Sequence, residues 1–359
     1  MTATLSHTRL IDVLHIAHEQ DASDVHLVPD LAPALRVDGE LKFLSGSILH
    51  ADDVTEIARL LFAPDALSRL ATGADVTATM VSEDKSILRV HGFRGMRGNS
   101  IAIRLLNKRV PTLEALHLPP AIAGLAKRDR GLVIFSGPTG SGKSTSLAAL
   151  IAEINTSNAK RIITIEDPVE YRHESARSLI TQREVGRDAP SFESALLGAL
   201  RADPDVIMLG EMRDSSTMRA ALTAAETGHL VLATLHTGSA VQTVERIVDA
   251  FAGSEQAQVR AQLAQTLHAI VSQRLVPRRH GPGRRAVAEV LIATDAVRSM
   301  IRESRTHLIP NAMTTGRQLG MQTLEMHVNE LLLSNEIERA VGLRLIERFD
   351  EPPARTAAG

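Results

Sequence analysis

The stretch GPTGSGKS, residues 137–144, matches G-x-x-x-x-G-K-[ST] in full, the pattern of a loop that cradles phosphates. Each position has a job. Gly137, Gly140 and Gly142 let backbone N–H groups turn inward around phosphate oxygens without Cβ clashes. Pro138, Thr139, Ser141 and Thr145 complete the cradle. Lys143 brings a point charge to the β- and γ-phosphates, and the Ser144 hydroxyl is the expected Mg²⁺ ligand. The bound species is thus expected to be ATP with Mg²⁺. Two further segments end in acids. DVIML (205–209) runs into Gly210 and Glu211, and RIITI (161–165) runs into Glu166 and Asp167. Many phosphate-handling sites end such a strand with an aspartate, yet Gly210 stands here and the acid follows it. A carboxylate at Glu211 suits orientation or deprotonation of the water that attacks the γ-phosphate. Glu166 is a second carboxylate near the expected Mg²⁺.

These side chains need a scaffold. LVIFS (132–136), RIITI, DVIML and LVLAT (230–234) are short, β-rich and apolar throughout, as strands buried on both faces of a parallel sheet must be. Helical segments separate them, which predicts βαβ units and an α/β core. TSLAALIAEI after the glycine loop is the helix whose positive end meets the phosphates. Upstream, residues 8–20 have a helical period. LAPALRVDGELKFL (31–44) reads as a hairpin through Asp38-Gly39, residues 51–71 as helix, and DVTATMV, SILRVHGFR and SIAIRLL as strands. That is a separate α+β pattern. Residues 107–130, with Pro111, Pro119 and Pro120, read as a connection plus a first short helix. After about residue 253 the pattern reads as mostly helical, and the tail PPARTAAG as frayed.

The 359 residues suggest two domains at about 150 residues each. Apolar content of 44% supports a core, and a net charge of −2 with 2% aromatics argues against nucleic acid as the partner. The absence of cysteine excludes disulfides and Cys-based zinc or redox sites. The N-terminus lacks the basic start and apolar run of a signal peptide. With no spanning segment of about 18 apolar residues, the expected location is the cytoplasm.

GPTGSGKST, TIEDPVEY, ALRADPDVIMLGEMRD and TAAETGHLVLATLHT resemble, in order, the Walker A, Asp box, Walker B and His box of the type II/IV secretion-system and pilus ATPases. QREVGRDAPSFESAL, SQRLVPRR and AVRSMIRESRTHLIPNAMTTGRQLGMQTLE resemble the retraction, twitching-motility branch, with Val297, Ser299 and Met300 departing from its usual residues. SDVHLVPDLAPALRVDGEL resembles the start of the family's PAS-like domain. The resemblance implies a RecA-like P-loop NTPase core with a smaller N-terminal α+β PAS-like domain. The corresponding bounds are 1–107 for the PAS-like domain, 108–118 for the linker and 119–359 for the ATPase domain with a helical C-terminal part. It implies Glu211 as general base, Glu166 as the Asp-box acid, and His229 and His236 as the His-box pair. It also implies arginines supplied from an N-terminal domain. Of Arg89, Arg94, Arg97 and Arg104, the favoured pair is Arg97 and Arg104, because a guanidinium stays charged and binds phosphate bidentately. The implied assembly is a homohexamer acting on an inner-membrane pilus platform protein, peripheral to the cytoplasmic membrane and working alone or with a paralogous pilus ATPase. Its implied activity is ATP hydrolysis powering type IV pilus retraction. The alternatives are an accessory retraction or zinc-less secretion ATPase, and a nucleic-acid translocase with a similar core.

Overall fold

The computed structural model describes residues 2–20, 22–37, 39–46, 48–81, 87–106, 110–281 and 283–350. Asp38 of the expected hairpin, Lys108 and Arg109 of the expected linker, and the tail 352–359 lie outside these residues. The chain divides into two compact units, Met1–Arg109 and Val110–Gly359.

The first unit runs α1 (Thr2–Glu19), β1 (Asp24–Leu27), β2 (Ala34–Val37), β3 (Glu40–Phe43), α2 (Ala51–Leu61), α3 (Pro64–Ala71), β4 (Val76–Val81), β5 (Ile87–Gly95) and β6 (Gly98–Leu106). Its six strands form one antiparallel sheet in the order β3-β2-β1-β6-β5-β4. Val25, Leu35, Val90 and Ile103 are fully buried and share a core with Val54, Ile57 and Ala58 of α2. Residues 51–71, expected as one helix, are two. Pro64 cannot continue a helix, since it lacks an N–H and bars helical geometry at Ala63, but it is well suited to begin the next one.

The second unit contains α4 (Pro120–Ala123), β7 (Gly131–Ser136), α5 (Lys143–Ser157), β8 (Arg161–Glu166), β9 (Leu179–Glu184), α6 (Phe192–Ala199), β10 (Val206–Leu209), α7 (Ser215–Glu226), β11 (Leu230–Leu235), α8 (Ala240–Asp249), α9 (Gly253–Thr266), β12 (Leu267–Pro277), β13 (Arg284–Ile292), α10 (Asp295–Arg302), α11 (Ile309–Thr315), α12 (Leu324–Leu333) and α13 (Arg339–Asp350). Its sheet has the order β13-β12-β7-β11-β10-β8-β9, parallel except for β13. Alternate residues of β7 feed two cores. Leu132 and Ile134 join the helices α6 to α11 on one face. Val133 and Phe135 join Leu147, Leu150 and Ile154 of α5 on the other. Because the parallel strands end at one edge, the loops after β7, β8, β10 and β11 gather there, which is where ligands bind in open α/β sheets.

Two departures from the sequence reading bear on the site. Residues 267–292, expected as mostly helical, are a long antiparallel pair, β12 and β13, which extends the sheet beside β7. The run Ser272-Gln273-Arg274 interrupts the apolar pattern of β12, and Gln273 bonds Ser141 far away in sequence. A further parallel strand, β9, adds a mixed-polarity edge beside β8.

Candidate active site

The loop from Gly137 to Gly142 joins β7 to α5, whose first turn holds Lys143, Ser144 and Thr145. Gly137, Gly140 and Gly142 all have positive φ, at 142°, 77° and 89°. Gly137 also has no room for a side chain, because a Cβ there would press into the Gln273 carbonyl. The helices α6, α7 and α8 are each capped by a side chain, from Ser191, Asp214 and Ser239. α5 has no side-chain cap, so its first-turn N–H groups remain available to an anion. Lys143 is buried, and its Nζ donates to the carbonyls of Gly137 at 2.7 Å and Pro138 at 3.0 Å. Burial pushes its pKa below the usual lysine value, while the carboxylates of Glu211 and Glu170 pull it back up. Among the described residues Ser141 Oγ is buried without a hydrogen-bond partner, so it can bond a phosphate oxygen.

The loop lines a cleft of about 500 Å³ together with Glu166, Glu170, Glu211, Arg213 and His236. Glu211 is pinned by its neighbours. Gly210 N–H donates to the Ile165 carbonyl at 2.7 Å, and Met212 N–H to the Thr234 carbonyl at 3.1 Å, so one acid is held between the ends of β8 and β11. The Thr234 hydroxyl donates to the Gly210 carbonyl as well. A Cβ at Gly210 would sit 3.3 Å from both Glu166 Cα and the Ile165 carbonyl. The glycine therefore lets the ends of β8 and β10 close on one another, and an aspartate in its place would crowd Glu166. Glu211 Oε2 accepts from Arg213 Nε at 2.7 Å, and Oε1 lies 3.3 Å from His236 Nε2. Arg213 also reaches Asp167 at 3.7 Å.

Glu166 is buried and accepts from Thr164 Oγ1 at 2.6 Å and Gln182 Nε2 at 3.1 Å. Burial outweighs these bonds and pushes its pKa up to about 7. Ser144 Oγ donates to Glu170 Oε1 at 3.1 Å, and Thr145 Oγ1 lies 2.9 Å from Tyr171 OH. A hydroxyl and two carboxylates supply the hard oxygen donors that Mg²⁺ takes, alongside phosphate and water. Together with the orphaned Ser141 hydroxyl, this set fits a metal–nucleotide complex.

The two histidines are not brought together. His236 follows β11 at the cleft. His229 precedes β11, where its Nδ1 lies 2.9 Å from the Ala224 carbonyl and its own carbonyl accepts from Gly131 at the start of β7. A six-residue strand of about 20 Å separates them, so within one subunit His229 stands at the far edge of the sheet. In the first unit, Arg97 is exposed in the turn between β5 and β6 and has no ion pair among the described residues, whereas Arg104 Nε bonds Asp24 at 2.9 Å. Sequence reasoning missed Glu170, Arg213 and Gln273. The first two lie four and two residues beyond Glu166 and Glu211, acids it identifies, while Gln273 sits in the polar run Ser272-Gln273-Arg274.

The family model described as "Type II/IV secretion system protein" matches residues 6–339. The chain is 40% identical over 330 residues to the type IV pilus retraction ATPase PilT of Pseudomonas aeruginosa, covering 92% of this chain and 96% of that one. It is 39% identical over 323 residues to a twitching motility protein of Neisseria gonorrhoeae, covering 90% and 86%. Among solved structures, the pilus retraction motor PilT with bound ADP superimposes with a TM-score of 0.87 at 38% identity, covering 93% of this chain and 96% of that one.

Proposed function

The chain belongs to the type II/IV secretion system protein family, and on that premise we propose that it is a hexameric ATPase motor that powers type IV pilus retraction. The observation that supports this reading best is Glu211, pinned by backbone bonds on both sides and facing the same cleft as Lys143. Its α/β unit is a RecA-like ATPase core, and the first unit is its PAS-like companion. The proposed bounds are residues 1–107 for that companion, 108–118 for the connection and 119–359 for the core.

In the proposed mechanism Lys143 exchanges its loop carbonyls for phosphate oxygens, with the free N–H groups at the start of α5 and the Ser141 hydroxyl beside it. Ser144, with Glu170 and Glu166, would hold Mg²⁺, which when bound neutralises charge on the phosphates. Water attacks the γ-phosphorus, the bond to the bridging β–γ oxygen breaks, and Glu211 takes the water's proton. Arg213 restrains that carboxylate in the present arrangement and must loosen its grip for Glu211 to act as a base. His236 touches the same carboxylate and reports its state to the segment that follows β11. Arg97, exposed and without an ion pair among the described residues, is the better of the two arginines to serve a neighbouring protomer's site, because Arg104 is already held by Asp24. ATP must bind one domain arrangement more tightly than another if turnover is to drive movement. The motor acts at the inner face of the cytoplasmic membrane on a pilus platform protein, alone or with a paralogous ATPase. Among the described residues no helix is long and apolar enough to cross a membrane.

Deleting the gene and counting surface pili tests the direction of the motor. An excess of pili that do not shorten is expected, and bald cells would contradict retraction.

A further inference from the structure

Gln273 lies in β12, beside the strand that feeds the phosphate loop, and is only 2% exposed. One end of its amide holds that loop and the other holds the first turn of α5. Nε2 donates to the Ser141 carbonyl at 2.8 Å, and Oε1 accepts from Ser146 Oγ at 2.8 Å. Gly142 leaves the space the amide occupies, since a Cβ there would sit 2.7 Å from Gln273 Nε2. Beside it on β12, Ser272 Oγ meets Ser136 Oγ of the paired strand β7 at 2.6 Å.

Arg274, the next residue, faces the other way. Its Nη1 donates to the Gln273 carbonyl at 3.1 Å and its Nη2 to the Gly238 carbonyl at 3.0 Å. Gly238 lies two residues beyond His236, which faces Glu211. Glu289 of β13 interacts electrostatically with Arg274 and accepts from Ala240 N–H, at the start of α8, at 2.7 Å. Two side-chain bonds, Gln273 to the Ser141 carbonyl and Arg274 to the Gly238 carbonyl, therefore join the phosphate loop through β12 to the segment that begins at His236.

We propose that Gln273 and Arg274 are positioning residues that hold the phosphate loop and the His236 segment in a fixed relation. Gln273 sets the loop that grips phosphate, and Arg274 transmits that position to the residues around Glu211. The proposal deepens the ATPase reading above and rests on it. A rigid link of this kind separates two effects that packing alone would mix. Loss of the Gln273 amide leaves the Ser141 carbonyl and the Ser146 hydroxyl without partners in a buried site, so phosphate binding suffers. Arg274→Lys keeps a positive charge beside Glu289, but a shorter side chain with one terminal nitrogen cannot reproduce the reach of Nη1 and Nη2 to separate carbonyls, so the loop stays intact while its tie to Gly238 is lost.

The test uses the full-length assembled protein, with ADP affinity measured by calorimetry, steady-state ATP turnover and the melting temperature recorded for each variant. Gln273→Ala is expected to weaken ADP binding by about tenfold. Arg274→Lys is expected to keep ADP affinity within about twofold of wild type while kcat falls by about tenfold. Gln273→Glu, which keeps the shape but loses both N–H donors, should resemble Gln273→Ala. Unchanged ADP affinity in Gln273→Ala overturns the proposal. So does a fall of affinity and kcat in equal proportion in Arg274→Lys that tracks a lowered melting temperature, which would mean packing alone. Because the Gln273 arm is read on ADP affinity, a wild type that binds ADP without turning over ATP would sink the ATPase reading and still leave this arm to decide the coupling.

Discussion

Glu211 and His236 stand at the ends of adjacent parallel strands, β10 and β11, with Oε1 of one 3.3 Å from Nε2 of the other. The contact is possible only because both strands are parallel and end at the same edge. The backbone bonds from Gly210 and Met212 hold the acid there. The chemistry proposed for the cleft depends on that placement, and its parts can be tested separately.

Lys143→Ala removes the one buried cation of the phosphate loop and leaves the Gly137 and Pro138 carbonyls without their donor. ADP affinity should fall by about a hundredfold or more, since charge-assisted bonds to phosphate are about twice as strong as neutral ones, and ATP turnover should drop below detection. Calorimetry with ADP checks the first. Binding within about threefold of wild type would mean that the loop is not a phosphate site.

Arg97→Ala tests supply of a guanidinium across a protomer boundary. If Arg97 serves a neighbour, mixing mutant and wild-type subunits should lower activity more steeply than the mutant fraction, and Arg97→Lys should not rescue it. A strictly proportional decline in mixed assemblies would remove Arg97 from the site and leave it a solvated turn residue.

Glu289 gives a pH prediction. Burial, only partly offset by N–H bonds from Ala240 and Leu324 and by Arg274, pushes its pKa up to about 7, against about 4.5 for an unfolded glutamate. Between those values the folded chain holds a proton that the unfolded chain has released. Its contribution is therefore fully present below about pH 4.5 and is lost as pH rises through about 7, a change on the order of 3 kcal/mol. Glu289→Gln should lose less stability than wild type between pH 5 and pH 8 in urea unfolding at fixed ionic strength. Identical pH profiles for the two proteins would show that Glu289 titrates normally.

Much of the site can be read from the sequence because its signals are local. The glycines at 137, 140 and 142 must have positive φ, and the apolar runs before Gly137, Glu166 and Glu211 must be buried strands. The Gly210-Glu211 pair is legible in the sequence, but its cause, the close approach of Glu166 on β8, is a relation between distant residues. What the sequence hides are relations between distant residues. Gln273 reaches Ser141 across 132 positions, and its polarity disguises β12 as something other than strand. His229 and His236 read as a pair in sequence, yet the strand between them sets them at opposite edges. The break before Pro64 was legible from proline alone, and a continuous helical period masked it.

The most direct test of the account is Glu211→Gln. The amide keeps the size and one acceptor of the carboxylate but cannot take a proton from water. ADP affinity should stay within about threefold of wild type while kcat for ATP hydrolysis falls by about 10²–10⁴. Turnover at the wild-type rate, with nucleotide still bound, would contradict Glu211 as the base and with it the reading of the cleft as a hydrolytic site.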